Sequence, residues 1–207
     1  MTRVVCTLLL AAGGAAAQCK AEPAGAPPAE ANAAIVATLN KTGTKITGPN
    51  GAYVEIWLRA SLPSGFKSTE SSVSLPTIQV GTLLGVLRFS GKGADRRGQT
   101  IALGVYTLRY GNFPINGDHQ GVAPQRDFLV LSPAAADQSV DNLKDFDSLM
   151  ALSKKASGST HPAVLSFWKA DADAKPGLEK QGESDWVLTT RIGSVAVSII
   201  LVGKTGE

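Results

Sequence analysis

The sequence predicts a mainly β protein, an antiparallel β-sandwich or jelly-roll-like fold with one amphipathic helix near residues 140–156. Three observations carry that prediction. Apolar and polar residues alternate in several runs, such as Ala52–Arg59 and Ser194–Val202, and a period of two marks a half-buried strand. Turn chemistry, not helical sequence, separates the runs, which excludes a regular βαβ order. Only Ser139–Lys155 combines helical spacing with capping signals at both ends. Eight or nine short strands are expected.

The chain has 207 residues and a formal charge of +3. Arg3, the apolar run Val4–Leu10 and the small residues Ala15–Ala17 have the order of a secretory signal peptide over residues 1–17. That apolar run is too short for a spanning helix, which needs about 20 apolar residues. Cleavage near Ala17 leaves Cys19 as the only thiol and a charge of +2, because Arg3 leaves with the signal. One cysteine forms no internal disulfide. Gln18 stands where a lipidation signal wants a small residue, which argues against a lipid anchor at Cys19. Residues 18–32, rich in Ala and Pro, read as a flexible leader. Residues 33–204 form a single domain, long enough for one sizeable core. The basic residues are scattered, with no stripe suited to nucleic acid.

Ala34–Leu39 is a short apolar run, and Lys45–Thr47 is β-compatible before the turn Gly48-Pro49-Asn50-Gly51. In Ala52–Arg59, Val54, Ile56 and Leu58 point one way, and Tyr53, Glu55, Trp57 and Arg59 the other. The second face is a candidate binding surface, because aromatics beside charges suit polar ligands such as sugars. Tyr53, Trp57 and Arg59 are its candidate residues, with Trp168 as a further aromatic. Pro63–Pro76 reads as a loop. Ile78–Ser90 is the longest apolar β run, and Gly81 and Gly85 inside it predict a bend or bulge. Gly91–Gln99 is a polar hairpin end. Val105–Tyr110 and Phe128–Leu131 are strands. Ser139 or Asp141 can cap the helix, Leu143, Phe146, Leu149 and Met150 share one side of it, and Lys154-Lys155 precede Gly158. His161–Trp168, Trp186–Arg191 and Ser194–Val202 complete the strands, with a polar loop running through Gly182. The last run is about half a membrane span and reads as a buried strand.

The densest polar cluster lies in the loop Gly111–Asp127, shaped by Pro114, Gly117, Gly121 and Pro124. Long loops of this kind are often functional. Asp118 and His119 supply ligand types for a metal or acid–base site, with Asp127 or His161 as a third member. Their adjacency matches no helical ligand spacing, and two histidines exclude a His-rich zinc site. The simpler role is bracing, with Asp118 closing a turn and His119 bonding a carbonyl or Asp127. No nucleophile elbow exists, and Ser159-Thr160-His161 is sequence adjacency without triad geometry. The Gly-x-Gly at Gly91–Gly93 lacks the context of a phosphate loop, and no cofactor is implied. Arg59, Arg88, Arg109 and Arg191 lie on strands and are expected at separate solvent positions unless they converge on an anion.

The strings GVYTLRYG (Gly104–Gly111), NGDHQG (Asn116–Gly121), DFLVLSP (Asp127–Pro133) and SGSTHPAVLSF (Ser157–Phe167) resemble an uncharacterised family of secreted bacterial β-sandwich proteins. The likeness spans about Tyr53 to Val202. It implies a whole small secreted domain and assigns no activity to Asp118 or His119. The expected function is therefore that of an exported, non-enzymatic module that binds a ligand or an envelope partner. A metal-assisted or acid–base enzyme at the 111–127 loop is the alternative, and a carbohydrate-binding module is a third reading.

Overall fold

The computed structural model describes residues 18–48, 51–115, 125–142 and 145–203. Twelve strands and two helices succeed one another among the described residues: β1 (Lys20–Pro23), α1 (Ala33–Val36), β2 (Thr44–Gly48), β3 (Gly51–Leu58), β4 (Leu83–Phe89), β5 (Gly93–Ala94), β6 (Thr100–Ile101), β7 (Gly104–Asn112), β8 (Asp127–Pro133), α2 (Phe146–Ser157), β9 (Val164–Lys169), β10 (Gly177–Gln181), β11 (Asp185–Ile192) and β12 (Val195–Val202). Ten of them form one sheet in the order β1-β2-β3-β4-β7-β8-β9-β12-β11-β10. Every neighbouring pair is antiparallel. Its two edge strands, β1 and β10, approach each other, so the sheet nearly closes. The antiparallel β class read from the sequence holds, and it takes a barrel-like form.

Period two explains the interior. On β7, Tyr106, Leu108 and Tyr110 point inward, where Leu87, Leu129, Leu165, Phe167, Val197 and Ile199 meet them. Phe89 meets Tyr53 and Tyr106 edge-on, and Phe167 meets Tyr110 in the same way. The outer face is covered in two places. Residues 24–39, including α1, lie over Trp57, Leu83 and Val86. Helix α2 lays Leu149 on Phe128, Val130 and Val164. Strand β4 is therefore buried on both faces from Leu83 to Leu87, and that stretch carries no charge.

Residues 18–32 are not a flexible leader. Lys20–Pro23 pairs with Thr44–Thr47 in register, and Ala24 and Ala31 are buried. Trp57 overrides the low hydrophobicity of the segment: its Nε1–H donates to the Gly25 carbonyl at 2.8 Å. The domain thus begins before residue 33. Gly43 allows this approach, since a Cβ there would lie 2.6 Å from Trp57 Nε1.

Helix α2 starts later than the sequence suggests. Asp145 is the N-cap, with its carboxylate accepting from the N–H groups of Asp147 and Ser148 and from the Ser148 hydroxyl. Ser139 and Asp141 lie outside the helix because their carbonyls accept from Arg109 at 2.6 and 2.8 Å. Gly158 ends it in the left-handed region at φ 63°. Leu149 faces the barrel and Met150 packs beside it, whereas Phe146 is exposed; Leu143 lies outside the described residues.

Further differences are local. Ile78–Thr82 is turn, not strand, with Gly81 at φ 86°. The register does shift between Leu83 and Gly85, as the glycine predicted. Strand β10 lies within the segment read as a polar loop, because Leu178 packs on the core.

Candidate functional site

The two strongest strands, β7 and β8, define one end of the barrel. Asn112–Ile115 leaves β7 there, and Gln125–Asp127 enters β8. Asp118 and His119, the centre of the predicted site, lie outside the described residues.

Asp127 is fully buried, and its carboxylate is spent on the fold. Oδ2 accepts from the Ser74 N–H at 2.8 Å, and Oδ1 from the Leu75 N–H at 3.3 Å and the Tyr110 hydroxyl at 2.5 Å. Burial, and then donation to the Asp127 carboxylate, push the Tyr110 hydroxyl well above its ordinary pKa. The amide of Asn112 acts the other way, donating to the same hydroxyl at 3.0 Å. Asp127 is therefore a brace.

His161 does not join it. Phe128 pairs with Ser166 and Val130 with Val164, which sets Asp127 and His161 on the order of 20 Å apart along the strands at ~3.3 Å per residue. His161 is exposed in the turn after α2, where its N–H donates to Ser159 Oγ and its carbonyl accepts from Ser157 Oγ. Ser159 in turn donates to Gln99 Oε1 at 2.6 Å. The Ser-Thr-His run is thus the end of a turn network. That network includes Asp95, a buried carboxylate holding Arg97 and Gln99, both of which donate to the Pro162 carbonyl.

The Tyr53–Trp57–Arg59 face is not a binding strip. Trp57 is 1 % exposed beneath the segment it anchors. Tyr53 is half-buried, and its hydroxyl accepts from the Ala94 N–H at 3.2 Å. Arg59 donates to the Ser61 carbonyl. Glu55, between them, is held by Arg88, whose guanidinium stands 5.6 Å from the Trp57 ring centroid. No flat aromatic surface remains on this face for a sugar, and Trp168 stands half-buried on β9.

Nor are the strand arginines all at solvent. Arg109 is fully buried, with five donors matched to five acceptors: Asp137 twice, and the carbonyls of Gly81, Asp141 and Ser139. It pins residues 137–141 to the barrel wall. Arg191 donates to the carbonyls of Ser194 and Ala172. The four arginines therefore do not converge on an anion.

What remains open at the β7–β8 end is a groove of about 570 Å³, lined by Glu70, Val80, Asn112, Pro114, Ile115, Arg126 and Phe146. Ile115 is 69 % exposed and Phe146 41 %. Arg126 donates through Nε and Nη2 to the Phe113 carbonyl, and through Nη2 to Glu70 at 3.2 Å. The groove has apolar walls from Val80, Pro114, Ile115 and Phe146, with the Arg126–Glu70 ion pair at its edge. Sequence reasoning placed Phe146 in the helix's buried stripe and did not single out Ile115. A large apolar residue at a loop tip carries no periodicity, so only its exposure reveals it.

Among the described residues, no group of three or more His, Cys, Asp or Glu side chains could hold a metal ion, and no helix is long and apolar enough to cross a membrane. The fold and the groove define a barrel-like antiparallel β protein with an apolar cleft at one end. No protein-family model matches the chain, and neither the curated proteins nor the solved structures contain a match to it.

Proposed function

We propose that this protein is an exported, non-enzymatic binding module, and that the trough at Ile115 and Phe146 takes the apolar part of a small ligand or of an envelope partner. The exposure of these two side chains in the lining of one groove carries the reading. Exposed apolar surface in a concave site stabilises whatever apolar group displaces its water. The chemistry around the groove supports binding over catalysis. Asp127 is committed to three donors, and Arg126 to Phe113 and Glu70. Arg3, Val4–Leu10 and Ala15–Ala17 support export, because they have the order of a secretory signal peptide.

Titration with N-phenyl-1-naphthylamine, a neutral probe that fluoresces in apolar sites, tests the groove. Saturable binding by the wild type, weakened at least about 10-fold in Ile115→Asp, is the expected result, since a buried methyl-rich side chain contributes roughly 1.5–3 kcal/mol. Binding unchanged in Ile115→Asp and Phe146→Asp overturns it. Fractionation of cells expressing the full chain tests the address, and cytoplasmic retention of the uncleaved chain overturns that part.

A further inference from the structure

One wall of the groove is a loop held in place by few contacts. Of residues 63–77 only Leu75 is buried. The N–H of Ser68 donates to the Pro76 carbonyl at 2.6 Å, so Ser68–Pro76 is an Ω-type loop with joined ends. It contributes Glu70 to the groove. Gly65 precedes it at φ 90°, and inside it Ser72, at φ 60°, is the one non-glycine residue with positive φ among those described. Arg126 and Asp127, where the chain enters β8, supply most of its attachment. Arg126 donates to the Ser71 carbonyl and to Glu70 Oε2, and Asp127 accepts from the N–H groups of Ser74 and Leu75. The N–H of Lys169 adds a bond to Ser74 Oγ at 2.8 Å.

We propose that Phe66–Ser74 is a flap, hinged at Gly65, anchored by Leu75 and latched shut by Arg126 and Asp127, and that it controls entry to the groove. This regulation rests on the reading of the groove as the binding element. The physical reason is local stability. A segment with one buried apolar side chain and an exposed backbone opens at far lower free energy than the strands it covers. Opening removes Glu70 from the groove wall, while Leu75 stays seated with its carbonyl 3.4 Å from the Tyr110 hydroxyl. Both latch residues stand where the chain enters β8, beside the groove. A ligand that engages Arg126 in the groove therefore competes directly with Glu70 and Ser71 for its guanidinium.

Amide hydrogen exchange on the full chain tests the flap, with peptides covering 66–74 compared with peptides from β12. Exchange in the flap at least about 100-fold faster than in β12 is expected, with Asp127→Asn raising it on the order of 10-fold further while β12 is unchanged. If Asp127→Asn does not fold, Arg126→Gln, at a half-buried position, should raise flap exchange in the same direction. Flap exchange as slow as that of β12, or unchanged in both variants, overturns the proposal. If N-phenyl-1-naphthylamine does not bind but the variants free the flap, the groove reading fails and the flap stands. If the probe binds to a chain whose flap is as protected as β12, the flap fails and the groove stands.

Discussion

Arg109 and Asp137 meet at two points out of reach of water: Nε lies 2.6 Å from Oδ2, Nη2 lies 2.7 Å from Oδ1, and neither residue is more than 3 % exposed. Thr107 donates to the same Oδ2 at 2.5 Å. The pair joins the outer face of β7 to the chain that leads into α2, and so sets where that helix can begin.

Breaking this pair on one side leaves an uncompensated buried charge. Arg109→Met or Asp137→Leu alone is expected to cost about 3–5 kcal/mol. The double variant Arg109→Met/Asp137→Leu should cost less than either single change, because no charge is then left without a partner. Urea denaturation of the three variants measures this. Additive losses would show that the ion pair is not what couples the two segments.

Trp57 tests whether residues 24–39 belong to the fold. Trp57→Ala should cost about 3–5 kcal/mol, as for other fully buried large side chains. It should also speed amide exchange across residues 24–39, which lose the indole they cover. Trp57→Phe keeps most of the apolar body and loses the bond to Gly25, at about 1 kcal/mol. Wild-type exchange of the N-terminal segment in Trp57→Ala would mean that the segment is held by something else.

Tyr110 gives the protein an alkaline sensitivity with a definite sign. Its hydroxyl titrates above its ordinary value in the folded state, because it is buried and donates to Asp127. The native state therefore holds this proton more tightly than the unfolded chain, whose tyrosines titrate near ~10. The resulting stability is fully present below pH ~10 and is lost as pH rises from there toward the folded value, by about 1.4 kcal/mol per pH unit. Tyr110→Phe lacks this component. The stability difference between wild type and Tyr110→Phe should thus shrink above pH ~10, as followed by denaturation at stepped pH. A difference independent of pH would contradict the assigned proton.

The strands were legible wherever one face met the core and the other did not. Ala52–Arg59, Val105–Tyr110 and Ser194–Val202 all alternate, and each lies within or nearly coincides with a strand of the barrel. Misreadings arose where a distant side chain decides local structure. The polar, Pro-containing Lys20–Pro23 is a strand because β2 offers it an edge and Trp57 secures the chain at Gly25. Ser139 and Asp141 look like helix caps but are claimed by Arg109, which lies some 30 residues away in sequence. The same holds at the site. Asp127 has the residue type of a base, yet its three donors come from Ser74, Leu75 and Tyr110, and nothing local to residue 127 announces them. The groove was invisible for a related reason: its walls come from separate stretches around Glu70, Val80, Asn112, Arg126 and Phe146.

The order of the staves bears on how the barrel assembles. Strands β1 to β4 add to the sheet in the order in which they occur in the chain, β7 to β9 continue it, and only the join of β9 to β12 skips ahead before β11 and β10 fold back. Within the ten-stranded sheet only β2–β3, β10–β11 and β11–β12 close tight hairpins; the other ladders close longer loops, which raises the entropic cost of each step and slows folding. The two edge strands, β1 and β10, approach each other but share no rung of the ladder. A chain that emerges N-terminus first can pair β1 to β9 in order, whereas β10 and β11 join the sheet only through β12, the last strand made. The approach of β1 to β10 therefore adds to a sheet whose nine ladders are paired without it.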